Sequence, residues 1–205
     1  TQADLNQIQG RVTRGMSKKS LTELLDKGAP CLLPTRAQVA KENARALEAH
    51  ASSNKHETFS CPAEDTYAKN GTPSPPANGY PLPEDTAGLQ TLLEVAFGAR
   101  VMLRVNLAVP DGLVNGACGW VHDLDFDAAG VMVVGIWVRF DQGGQKWMEL
   151  HGMSSAVLIH PRQGYFLGRD GERIRRVQFP LFLAWAKTVH KSQGATERHG
   201  VVATL

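Results

Sequence analysis

Long apolar runs are missing from this chain: no stretch of its 205 residues approaches the roughly 20 apolar side chains needed to span a bilayer, which excludes a membrane-spanning protein built on helices. Cysteine is scarce. Cys31, Cys61 and Cys118 stand far apart and are odd in number, which supports neither a disulfide framework nor a zinc site with paired ligands and favours a reducing compartment. The histidines build no metal centre either, because His50 with His56, His151 with His160 and His190 with His199 lack cysteine or carboxylate partners at ligand spacing. Asp123, Asp125 and Asp127 alternate without the glycine and distal glutamate of a calcium loop, and they read as one face of a strand end. There is no GxxxxGK[ST] phosphate loop and no acidic pair closing an apolar strand, so the chain is not expected to hydrolyse ATP unaided. Neither end looks like a signal or transit peptide, and both ends fall in mid-element, as expected of a piece of a longer protein.

What remains is ordinary globular composition, 42% apolar and 20% charged, enough for one core or a core with a small satellite. The net charge of +2 says little about partners, but its distribution says more. Residues 1–100 carry 11 basic and 11 acidic side chains, whereas residues 162–198 carry eight basic against three acidic, a net +5. Positive charge is therefore concentrated near the C-terminal end, either as a polyanion-binding surface or as a solvated basic strand.

Periodicity divides the chain. Leu5, Ile8, Leu21, Leu24 and Leu25, with Ser17 as N-cap and Gly28 as a stop, predict a helical lead-in. Cys31-Leu32-Leu33 predicts a short buried strand, and Thr35-x-x-Gln38 is a capping box opening a helix with Val39, Ala40, Asn43 and Leu47 near one face. Residues 51–89, dense in proline, glycine and asparagine, predict a loop with one short strand at 58–61. From residue 99 the pattern is β, with strands predicted over 99–105, 119–124, 131–140, 145–150, 157–160 and 173–179, the spacing of a small barrel. A helix is predicted again over 184–190, then a polar elbow and an apolar strand at 201–205. Three regions follow: 1–97, with the loop at 51–89; an inserted small β-barrel at 98–179; and a return to the first α/β domain at 180–205.

The elbow, His190-Lys191-Ser192-Gln193-Gly194, carries the most chemistry. Gly194 allows close backbone approach, Lys191 supplies a point charge, and Thr188, His190, Ser192 and Gln193 offer donors suited to phosphate or ribose oxygens. Thr35 reads two ways, as an N-cap with its hydroxyl already engaged or as part of a helix N-terminus open to a phosphate. Asn115-Gly116 between apolar runs is a turn signal. Of the four tryptophans only Trp147, on a polar hairpin, stands out as a base-stacking candidate.

In its full context, PLFLAWAKTVHKSQGAT over residues 180–196, the elbow resembles motif V of superfamily 1 DNA helicases, specifically the Pif family and its RecD relatives. Leu33-Pro34-Thr35-Arg36, with Asn43, resembles the motif IV region, and GARVMLxxNLxxxxGLVNGAxG from Gly98 resembles the passage into an inserted barrel of Src-homology-3 type. The resemblance implies an α/β fold: an incomplete second RecA-like domain of the P-loop NTPase type, carrying that barrel. It implies a 5′-to-3′ DNA helicase driven by ATP and Mg2+, both held mainly by an upstream RecA-like domain, with functions in DNA repair, recombination and telomere maintenance. Single-stranded DNA would be met by Thr35, Asn115, Thr188, His190, Lys191 and Ser192, and nucleotide by Arg36, Gln193 and Gly194. The chain would be intracellular, nuclear or mitochondrial in a eukaryote and otherwise cytoplasmic. The alternative is a non-catalytic nucleic-acid-binding or interaction module derived from a helicase.

Overall fold

The computed structural model describes residues 24–25, 27–74, 86, 88–153, 155–168, 171–189 and 200–203. The predicted lead-in helix lies almost wholly outside them, as does the elbow from His190 to Gly194. The chain separates into two compact units, one of residues 1–46 with 184–205 and the other of residues 47–183.

The first unit is a parallel three-stranded sheet. β1 (Cys31–Leu33) is its centre, flanked by β12 (Ala186–Thr188) and β13 (Val202–Ala203), with Leu33 in register with Thr188 and Cys31 with both Ala186 and Val202. Residues 181–188, predicted helical from 184, instead hold two strands, β11 (Leu181–Leu183) and β12. An apolar run of this length satisfies either period; waiting partner strands decide it.

Helix α1 (Arg36–Asn54) begins where the sequence predicts, at the Thr35 capping box: the Gln38 N–H donates to Thr35 Oγ1 at 3.2 Å and the Thr35 N–H donates to Gln38 Oε1 at 3.2 Å. Asn43 and Leu47 are buried, whereas Ala40 faces solvent. The helix continues into the segment predicted as loop because its stop is disguised. Lys55 adopts the left-handed conformation usually given to glycine, φ 55°, and the His56 N–H donates to Ala51 O at 2.9 Å, closing a Schellman motif without glycine.

The second unit is mostly sheet. β5 (Arg100–Leu103), β6 (Cys118–Phe126), β7 (Val133–Phe140) and β8 (Val157–Ile159) join β11 in an antiparallel sheet of order β11-β5-β6-β7-β8. β3 (Glu64–Tyr67), β10 (Arg173–Gln178) and β9 (Arg162–Leu167) form a second sheet, and β2 (Phe59–Pro62) pairs with β4 (Leu92–Val95) in a third. The predicted small barrel at 98–179 is not found as a closed barrel among the described residues. Its strands are shared between two sheets, because β10 takes a partner, β3, from the segment read as loop, and β5 takes β11 from beyond residue 179. The predicted strand at 145–150 is a short helix, α2 (Gln145–Leu150), whose first amides are held by a distant carboxylate: the Lys146 and Trp147 N–H groups donate to Asp111 at 3.3 and 2.8 Å.

Two buried arginines organise this unit. Arg176, 1% exposed, donates Nε and Nη2 to Asp65 at 2.7 Å each and Nη1 to Leu89 O at 3.0 Å, joining β10, β3 and the segment before β4. Arg100 donates to both Asp141 oxygens at 2.7 and 2.5 Å and lies over the Trp120 ring at 4.7 Å. Gly119 is needed for strand approach, since a Cβ there would sit 2.6 Å from Arg139 O. Burial pushes the Cys61 thiol up to about 11, so it stays protonated at neutral pH.

Removing half of a buried ion pair strands the other half. Asp65→Asn is therefore expected to lower the free energy of unfolding by about 3 kcal/mol in a urea titration; a change below about 1 kcal/mol would show that Arg176 finds equivalent solvation.

Candidate nucleic-acid interface

In the first unit the three parallel strands all point their C-terminal ends at one edge of the sheet, the edge where α/β folds present ligand-binding loops. Two of the sequence-predicted segments emerge there side by side. Pro34, Thr35 and Arg36 follow β1, and Val189, the last described residue before the elbow, follows β12, from strand ends paired as Leu33 with Thr188.

A single side chain sets the helix on this sheet. Asn43, buried in α1, presents an amide to β12: its Nδ2 donates to Ala186 O at 3.2 Å and the Ala186 N–H donates to Asn43 Oδ1 at 2.8 Å. The amide copies the two-bond pairing of a neighbouring strand and satisfies backbone groups that would otherwise be buried and unpaired. The sequence shows Asn43 only as a polar residue on an apolar helical face, a mismatch that is itself the signal.

Thr35 is exposed, and its hydroxyl is committed locally, donating to Gln38 Oε1 at 2.8 Å while accepting the Gln38 N–H. Arg36 is exposed at the first position of the helix. Thr188 is half-buried at the end of β12. His190, Lys191, Ser192, Gln193 and Gly194 lie outside the described residues.

Asn115 belongs to the second unit. It is exposed at a turn closed by the Ala117 N–H donating to Val114 O at 2.9 Å, and its own N–H donates to Asn106 Oδ1 at 2.8 Å. Gly116, φ 100°, supplies the positive φ at the third turn position, as in a type II turn. The turn lies inside the long β5–β6 connection, not in a two-residue hairpin.

The structure also revises the basic field at 162–198. Arg176 and Lys187 are buried, at 1% and 6% exposure, and Arg169, Lys191 and Arg198 fall outside the described residues. Arg162 and Arg173 are exposed and Arg175 is half-buried. None of the tryptophans is an open stacking platform: all four are half-buried, Trp147 lies on α2 against the His151 ring, and Trp137 Nε1 donates to Asp125 at 2.9 Å. No group of three or more metal-ligating side chains occurs among the described residues, and no helix among them is long and apolar enough to cross a membrane.

Comparison with known proteins bears on this arrangement. The chain shares its α/β fold with DNA helicases: the Pif1 helicase of Candida albicans superposes with a TM-score of 0.57 at 26% identity, over 85% of this chain and 39% of that one. A Bacteroides Pif1 solved bound to single-stranded DNA shares the fold with a TM-score of 0.54 at 24% identity, over 96% of this chain and 38% of that one. No protein-family model matches. In sequence, the ATP-dependent DNA helicases PIF1 of Danio rerio and Homo sapiens are each 39% identical, over 106 and 105 residues, covering 51% of this chain. In sequence the chain is similar to Pif1 helicases, and its matching part spans 14% of the length of those two proteins.

Asn43→Ala leaves the Ala186 N–H and C=O buried without their partner, so a loss of about 1–3 kcal/mol in unfolding free energy is expected by chemical denaturation. Thr35→Ala, which removes only an exposed cap, is expected to cost about 1 kcal/mol. If Asn43→Ala cost no more than Thr35→Ala, the tie between α1 and β12 would be redundant.

Proposed function

We propose that this chain supplies part of the second motor domain of a Pif-type ATP-dependent DNA helicase. In the whole protein an upstream RecA-like domain holds ATP and Mg2+, this domain closes on the nucleotide, and the cycle of closure and release draws single-stranded DNA through in the 5′-to-3′ direction. The observation that supports the reading is the pairing of Leu33 with Thr188, from which residues 34–36 and Val189 leave the same edge of one parallel sheet. Sequence identity of 39% to PIF1 helicases over half of the chain supports it independently.

Within this reading Thr188, His190, Lys191 and Ser192 face the DNA strand, while Gln193 and Gly194 face the nucleotide, so one short elbow joins grip to nucleotide state. Thr35 contributes through the N-terminal end of α1, its hydroxyl being occupied by the cap, and Arg36 at the first helical position is the nearby cation for a nucleotide phosphate. Asn115, on an exposed turn of the other unit, is a further DNA contact. Without a phosphate loop the chain by itself neither holds the ATP phosphates nor turns ATP over.

Lys191→Ala is expected to weaken binding of fluorescently labelled single-stranded oligonucleotides by a similar factor for every base sequence, and to reduce the salt slope of log K by about 0.7, one phosphate contact on a single strand. Affinity and slope both unchanged would contradict the assignment.

A further inference from the structure

The buried face of the β3-β10-β9 sheet is filled by Ile174, Arg176, Gln178 and Phe166, and the other face looks to solvent. Register fixes what stands on it. Arg175 of β10 is opposite Tyr165 of β9 and Thr66 of β3, and Arg173 is opposite Leu167. Tyr165 is 42% and Leu167 70% exposed, so a ring and an aliphatic side chain two residues apart stand on the same open face. Arg173 lies over the Tyr165 ring, its guanidinium carbon 4.4 Å from the centroid, and Arg175 Nε reaches Thr66 Oγ1 at 3.3 Å. Neither arginine has a carboxylate partner among the described residues, in contrast to Arg176 one strand position away, which is locked to Asp65. Among the described residues the acidic neighbours are Glu64, opposite Val177 at the far end of the face, and Glu172 in the turn before β10.

We infer that this face is a binding surface for single-stranded nucleic acid, with Arg173 and Arg175 on successive phosphates and Tyr165, flanked by Leu167, stacking an unpaired base. The charge selects a polyanion, and the exposed ring and aliphatic chain select one that offers unstacked bases; a duplex offers this surface only its phosphates. Arg173 covers the Tyr165 ring in the free protein, and a base takes the place of the guanidinium as Arg173 turns to phosphate. The inference goes beyond the function proposed above: the face lies in the unit of residues 47–183, and it requires neither nucleotide nor the elbow.

The test titrates oligo-dT and oligo-dA into the 205-residue chain by fluorescence anisotropy at several salt concentrations. Arg173→Ala/Arg175→Ala is expected to weaken both by about tenfold or more and to reduce the salt slope by about 1.4, two phosphate contacts on a single strand. Tyr165→Ala is expected to weaken binding about tenfold while leaving the slope unchanged, and Tyr165→Phe to restore it. Thermal unfolding followed by circular dichroism checks that these substitutions, at exposed Arg173 and Tyr165 and half-buried Arg175, leave the fold intact. Arginine variants that bind with wild-type affinity and slope overturn the inference, as does a poly-glutamate peptide that binds as tightly as oligo-dT and is indifferent to Tyr165→Ala. Lys191→Ala, measured in parallel, separates the two proposals. Loss of affinity in Lys191→Ala alone overturns this face and keeps the elbow, whereas loss in the arginine variants alone keeps this face and removes the elbow.

Discussion

The α/β unit depends on one side-chain amide. Asn43 offers a donor and an acceptor in the geometry of a missing strand, and the Ala186 C=O and N–H meet them in turn, so α1 is fastened to β12 at the point where β12 is in register with β1. Hydrophobic contact would hold the helix on the sheet with some freedom to slide; two directional bonds to a main chain fix it. The consequence is positional. With that contact made, the start of α1 and the end of β12 come off one sheet edge, and residues 34–36 and 188–189 become neighbours in the fold although some 150 positions separate them in sequence.

The second unit is held by two buried guanidinium groups, one paired with a buried carboxylate and one with a carboxylate at the surface. Arg176 with Asp65 and Arg100 with Asp141 place guanidinium groups where aliphatic side chains would serve for stability alone, and each joins segments far apart in the chain. A planar fork that must meet both oxygens of one carboxylate allows few strand registers, which suits a unit assembled from short strands. Burial also sorts the arginines of β10 by alternation: Arg176 goes inward to its partner, while Arg173 and Arg175 stay on the outer face.

Much of this was legible in the sequence where local chemistry decides. The strand at 31–33, the capping box at Thr35 and Gln38, the turn at Asn115-Gly116 and most β-strands after residue 99 are found where periodicity and turn residues place them. All but one of the misreadings share a cause, a distant partner that overrode a local signal; the exception is the end of α1, which is closed locally. Lys55 ended a helix where glycine is the usual mark, Asp111 capped α2 from 36 positions away, and the run 181–188 became strands because β5 and β1 needed neighbours. For the candidate site, the sequence indicates which segments carry donors and cations, but not that Lys187 and Arg176 are withdrawn from the surface, since burial belongs to the fold and not to the residue type.

The strand ends of the parallel sheet are proposed to form one DNA-facing edge, and hydrogen–deuterium exchange of the chain with and without a saturating single-stranded oligonucleotide tests this. Slowed exchange is expected in two separate segments together, residues 33–38 and residues 186–194. Binding at saturation with exchange in both segments unchanged would contradict it.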